Sequence, residues 1–250
     1  MSTGILYLVP TTLGEDAVAG AIPSAVQERV RRLRRFIAEE PKAARSFLKA
    51  VSHPGPLAEL AIEALDADPS DAIIAELLEP LLGGVDAGVL SEAGAPAVAD
   101  PGAKLVRRAH ELGIRVVPLV GPSAILLALM ASGLEGQRFA FHGYLPIDER
   151  ELRVRLRALE AASRREQRTE VFIETPYRND RLLRTIVETC APATLLSIAV
   201  DLTLSGETIA TRTVAEWRSA SRSIGKRPAV FLLLAVEQGG GTPRRPSGTP

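Results

Sequence analysis

The stretch Ser91–Val106, SEAGAPAVADPGAKLV, decides how this chain is read. It follows an apolar segment, Val85–Leu90, and runs into a helical pattern over Gly102–Leu112. A strand-to-helix turn in an α/β protein takes about two to six residues. This connection is longer and is built from Ala, Gly and Pro. Small residues at Ala93, Gly94 and Ala95 let main chain come close to a bound molecule. The prolines hold the loop with little unfolded-state entropy. A ligand gripped by backbone N–H and C=O groups fits this composition, and so does an ordinary turn.

Outward from this loop the same alternation recurs. Candidate strands are 5–9, 86–90, 115–119, 140–142, 170–174, 194–199 and 229–235. Candidate helices are 21–35, 41–51, 56–67, 73–83, 102–112, 123–132, 149–162, 179–189 and 214–219. Strands alternating with helices argue an α/β fold, and fully apolar runs such as VFI and FLLLAV argue strands covered on both faces. The Gly/Pro-bearing stretch 117–123 suggests a boundary, giving domains 1–119 and 120–237. The Gly/Pro-rich segment 238–250 reads as a disordered tail.

Three further loops follow candidate strands at their C-terminal ends, where open α/β sheets bind ligands. They are Pro10–Gly14, Val120–Ala124 and Glu174–Asn179. None is a phosphate loop, since G-x-x-x-x-G-K-[ST] and G-x-G-x-x-G are both absent. The three histidines, His53, His110 and His142, lack metal-ligand spacing, so no metal is expected. The one cysteine, Cys190, is read as a small buried hydrophobe.

Thirty basic and thirty acidic residues cancel, which excludes a whole-protein basic field for nucleic acid and leaves room for local patches. Two patches are candidates: ERVRRLRR, ending at Arg35, and RELRVRLR, Arg150–Arg157. Each is either a solvated helix face or a phosphate contact. No apolar run reaches the ~20 residues of a membrane span, and the N-terminus lacks a signal-peptide pattern, so a cytoplasmic protein with no membrane contact is expected.

The motifs, taken in order, resemble one family. SEAGAPAVADPG is similar to the S-D-A-G-T-P-x-I-S-D-P-G signature of the tetrapyrrole (corrin/porphyrin) methylase superfamily. LYLVPTTLGE, FIAEEPKAARSFL, LVGPSAILLALMASGL, FHGYLP and FIETPYRNDRLL resemble further motifs of its ribosomal RNA small-subunit methyltransferase I branch, over residues 5 to about 235. The resemblance implies two α/β domains with a cofactor cleft between them, a homodimer, and S-adenosylmethionine as cofactor. It implies cofactor contacts at Pro10, Ser91, Ala93, Gly94, Ala95, Pro96, Gly121, Pro122, Ser123 and Ala124. From the second domain it implies Tyr144, Leu145 and the turn Ser205, Gly206, Glu207.

The branch implies 2′-O-ribose methylation of 16S RNA in the small ribosomal subunit. A hydroxyl acceptor needs a base, for which Glu92 and Asp100 are the carboxylates on the loop, unless they cap turns. Three departures bear on the substrate side. E-D-T-R reads Glu39-Glu40-Pro41-Lys42, S-P-H-R reads Thr175-Pro176-Tyr177-Arg178, and R-E-L-T-K reads Val200-Asp201-Leu202-Thr203-Leu204. They keep open a tetrapyrrole-like or other small-molecule acceptor, and a non-catalytic cofactor-binding protein.

Overall fold

The computed structural model describes residues 3–14, 18–220 and 223–236. The segment 238–250, read as a disordered tail, lies outside them. The chain forms two compact units: one runs to Leu127 and includes Asp201–Glu207, the other comprises Ala128–Val200 and resumes at Thr208.

The first unit contains β1 (Ile5–Val9), α1 (Val18–Ala21), α2 (Ser24–Arg32), β2 (Arg35–Ala38), α3 (Pro41–Ala50), β3 (Ala61–Ala64), α4 (Asp71–Leu82), β4 (Ala87–Leu90), α5 (Ala103–Glu111) and β5 (Arg115–Pro118). Helix α6 (Ala124–Ser132) carries the chain out of it. The five strands form one parallel sheet in the order β3-β2-β4-β1-β5. Neighbouring residues on a strand face opposite ways. Tyr7 and Phe36 accordingly join one core with Val26, Val30 and Phe47 of α2 and α3, while Leu6 and Ile37 join another with Ile74, Leu77 and Leu105 of α4 and α5. That two-sided cover explains the uniformly apolar β4.

The second unit contains β6 (Phe139–Tyr144), α7 (Glu149–Glu166), β7 (Thr169–Glu174), α8 (Asn179–Thr189), β8 (Leu195–Val200), β9 (Thr208–Thr213), α9 (Val214–Ser219) and β10 (Ala229–Leu234). Its sheet, β6-β7-β10-β8-β9, is parallel only between β6 and β7. Phe172 and Phe231 stack at 5.9 Å across β7 and β10, and α7, α8 and α9 bring Leu156, Ile186 and Trp217 onto them. Glu160, on the buried side of α7, accepts hydrogen bonds from Ala191 N at 2.8 Å and from Thr194 Oγ1, tying the helix to the start of β8. Cys190 is buried in this core, and burial pushes its thiol up to about 12, so it is an inert hydrophobe.

Three strands depart from the sequence reading. The helix expected over 21–35 ends at Arg32, and Arg35 opens β2. The helix expected over 56–67 is a single 3-10 turn, Leu57–Glu59, followed by β3. Its i, i+3, i+4 apolar spacing is overridden by pairing of Ala61–Ala64 with β2, a tertiary contact invisible in a local window. Strand β9, TIATRT, is polar because it is a sheet edge paired only with β8. The α/β class is borne out.

Candidate active site

All five strands of the first sheet run the same way, so their C-terminal ends share one edge. Val9 lies beside Leu90, Ala38 beside Leu90, and Leu8 beside Pro118. The register therefore sets Pro10, Glu39 and Ser91, which follow β1, β2 and β4, next to one another. The loop 119–123, after β5, completes the row.

The Ser91–Gly102 loop is bound to this edge from within. The Gly94 carbonyl accepts from Thr11 N and from Ser91 Oγ, each at 2.9 Å, and Ser91 itself is buried. Gly94 has φ +80°, and a Cβ there would meet Leu13 Cδ2 at 3.1 Å. Ala97 and Ala99 also adopt left-handed backbone, each with φ 65°. Such conformations cost about 1–2 kcal/mol for a residue with a side chain, so the surrounding contacts hold the loop in a strained shape. At Gly121 a Cβ would fall 2.2 Å from Pro10 Cγ, so the glycine is demanded by the proline ring of the neighbouring loop. Pro96 and Pro122 are buried, Ala93 is exposed, and Ala95, Ser123 and Ala124 are partly exposed.

Three carboxylates converge here: Glu39, Glu92 and Asp100. Burial, then the negative charge of Glu39 and of Glu92, pushes the Asp100 carboxyl up to about 6. Burial, then Glu92, raises Glu39 as well. The sequence names Glu92 and Asp100 as candidate bases and Glu39 only within the E-D-T-R departure, because no strand is expected over 36–38 to carry Glu39 to this edge. Glu40, beside it, caps α3 by accepting from Lys42 N at 3.0 Å. Among the described residues no group of three or more His, Cys, Asp and Glu could hold a metal ion.

The remaining expected residues lie on other segments of the chain. Ser205–Glu207 belongs to the first unit, whereas the sequence reading assigns it to the second. Glu207 Oε2 accepts from Thr203 N at 2.8 Å, which holds a turn in which Asp201 and Thr203 both have positive φ. The Thr203 hydroxyl is shut from solvent and makes no hydrogen bond among the described residues. In the second unit Tyr144 is 57% exposed at the end of β6, while Leu145 is buried in the core, leaving only its backbone to a ligand. His142 Nε2 meets the fully buried Glu170 at 2.5 Å, and its Nδ1 faces Arg155 at 3.0 Å. That network escaped the sequence reading, which found His142 isolated.

The two basic patches separate. In the first, Arg31 Nε donates to the Val51 carbonyl at 2.7 Å, Arg35 is paired with Glu63, and Arg29 lies over the Tyr7 ring. Those arginines serve the fold. In the second, Arg153 is bound by Glu149 and Glu188, while Arg150 and Arg157, with Val154 between them, border a shallow notch on the outside of α7.

A two-unit α/β chain with a carboxylate cluster at one parallel-sheet edge and no phosphate loop narrows the field, and comparison with known proteins decides it. The family model for Tetrapyrrole (Corrin/Porphyrin) Methylases matches residues 16–217. The chain belongs to the tetrapyrrole methylase family. It is a methyltransferase by descent. Proteins named Ribosomal RNA small subunit methyltransferase I share 33% identity in Xylella fastidiosa, over 94% of this chain and 82% of that one. The counterpart in Escherichia coli O157:H7 shares 36%, over 94% of this chain and 78% of its own. The crystal structure of the methyltransferase CobJ superposes with a TM-score of 0.61 at 20% identity, covering 96% of this methylase and 98% of that chain. The uroporphyrin-III-C-methyltransferase of Thermus thermophilus gives 0.50 at 19%, covering 92% of each chain. These two establish the likeness of fold alone. The branch recognised from the six motifs is thus borne out.

Proposed function

We propose that this methylase transfers a methyl group from S-adenosylmethionine to a ribose 2′-hydroxyl of small-subunit ribosomal RNA. The observation that carries the chemistry is Asp100, a desolvated carboxylate beside Glu39 and Glu92 at the carboxyl edge of the parallel sheet. S-adenosylmethionine supplies a methyl group already activated on a sulfonium. The residues present fit it. A cationic sulfonium and ammonium complement carboxylates that repel one another. The unpartnered Thr203 hydroxyl, in the same unit, offers a polar contact.

The protein's task is then orientation and proton removal. The strained, internally bonded loop 91–102 holds its groups in place before substrate arrives, and alignment of reactants can remove several kcal/mol of a barrier. Asp100 takes the proton of the attacking hydroxyl on its carboxylate, a contribution worth about 10²–10⁴-fold in rate. Arg150 and Arg157 on α7 supply phosphate contacts that a net charge of zero does not. RNA as acceptor is supported by the names of the relatives, and implies action in the cytoplasm. The exposed apolar side chains of Val120, Leu126 and Met130 support a homodimer.

Labelled S-adenosylmethionine, offered with purified small ribosomal subunits and separately with a small-molecule extract, tests the reading. Label in ribose of the RNA, lost in Asp100→Asn while calorimetric cofactor binding in chelator persists, supports it. Label only in the small-molecule fraction replaces the acceptor, and no cofactor binding at millimolar concentration removes the activity.

A further inference from the structure

The segment Thr175–Asn179 follows β7, and the chemistry above leaves it unused. Tyr177 within it is 78% exposed, the most exposed aromatic side chain among the described residues. It sits in a 3-10 turn, Pro176–Arg178, fixed from both sides. Glu174 Oε1 accepts from Thr175 N at 2.6 Å and from Arg178 Nε at 2.7 Å. Across from it, the loop before β10 is fastened to the start of α8. Asp180 accepts from Ile224 N at 2.7 Å and from Ser223 Oγ at 2.6 Å, and Asn179 Nδ2 donates to the Arg227 carbonyl at 2.7 Å. Gly225, with φ +71°, turns that loop, and Lys226 Nζ comes to 5.2 Å from the centroid of the Tyr177 ring.

We propose that Tyr177 and Lys226 form a stacking platform for one unpaired base of an RNA substrate, the ring taking the base and the lysine a flanking phosphate. The proposal rests on the RNA reading above and adds the form in which the RNA is held: single-stranded. Sequence-tolerant recognition of unpaired nucleotides combines an aromatic face with a nearby cation. A protein partner would seek an apolar surround, but the turn that carries this ring is polar and charged, with Glu174, Thr175 and Arg178 bonded to one another and Lys226 against the ring. Both halves of the platform are ordered by hydrogen bonds that do not involve the ring, so it is held ready without being packed. It also lies at the same end of the second sheet as the exposed Tyr144, whose strand neighbour is Ile173 on β7.

The test compares the parent protein with Tyr177→Ala, Tyr177→Phe and Lys226→Gln. Three probes are used: a fluorescein-labelled single-stranded RNA of about ten nucleotides, an abasic ribose-phosphate chain of equal length, and purified small subunits with labelled S-adenosylmethionine. Tyr177→Ala should weaken RNA binding about 5- to 100-fold and abolish the preference for intact over abasic chain. Tyr177→Phe should keep both. Lys226→Gln should lower the salt slope by about 0.7 log units per log unit. Calorimetric cofactor affinity should be the same in all four proteins. Equal RNA binding and equal methylation by Tyr177→Ala and a methylating parent overturn the platform alone. So does a parent that binds the abasic chain as well as RNA. Lost methylation of whole subunits with unchanged oligonucleotide binding also overturns it, in favour of a contact to ribosomal protein. A parent that neither binds RNA nor methylates subunits overturns the platform and the RNA reading together.

Discussion

Asp100→Asn should make the protein more stable at neutral pH while removing the proposed proton acceptor. The sign follows from the direction of the shift. The folded-state carboxyl is raised to about 6 from 3.8, so folding favours the protonated form. The stability this contributes is fully present below pH 3.8 and is lost as pH rises through 6. A shift of about two units corresponds to about 3 kcal/mol if the site were dry. Asp100 keeps partial contact with water, which screens the interaction, and about 1–2 kcal/mol is expected. Asparagine has the same shape and no charge to desolvate, so the difference between variant and parent should be near zero at pH 3.5 and rise to about 1–2 kcal/mol at pH 7.5. Urea denaturation followed by far-ultraviolet circular dichroism, across that range, reads it directly. A difference that is flat with pH, or one that favours the parent at pH 7.5, would refute the claim that Glu39 and Glu92 crowd a desolvated carboxylate.

Other perturbations follow from contacts of the same kind. Gly121→Ala should destabilise by about 1–3 kcal/mol through its clash with Pro10, and Pro10→Gly, which removes both the Cβ and the Cγ in the way, should relieve it in the double variant, as a thermal-melting cycle would show. Glu160→Ala should cost about 2–3 kcal/mol by stripping Ala191 N and Thr194 Oγ1 of their charged acceptor, read by fluorescence of the single Trp217, which lies in the same core. Arg31→Gln and Arg35→Gln should lower the melting temperature and leave RNA affinity unchanged. Arg150→Gln and Arg157→Gln should do the opposite, each lowering the salt slope of RNA binding by about 0.7–0.9 with stability held within about 0.5 kcal/mol.

The loop SEAGAPAVADPG and the five motifs around it were sufficient to identify the family, because glycine, alanine and proline at set positions stand out in any sequence. The alternation of strands and helices, the buried Cys190 and the boundaries of α8, α9 and β1 were equally legible, since each is set by local periodicity. What the sequence could not determine was anything that depends on which strand lies next to which. Strands β2 and β3 are four residues each, too short for a periodic pattern to mark them, and are held extended by pairing with each other. Placing Glu39 beside Asp100 depends on β2, and burial first, then Glu39 and Glu92, raises Asp100. Arg29, Arg31 and Arg35 read as part of a solvated or phosphate-binding face until the fold brought Tyr7, Val51 and Glu63 to them. His142 looked isolated until parallel pairing of β6 and β7 put Glu170 on it. Local chemistry is written along the chain, whereas the charge and hydrogen-bond partners of a side chain come from residues tens of positions away, and only the tertiary structure brings those together.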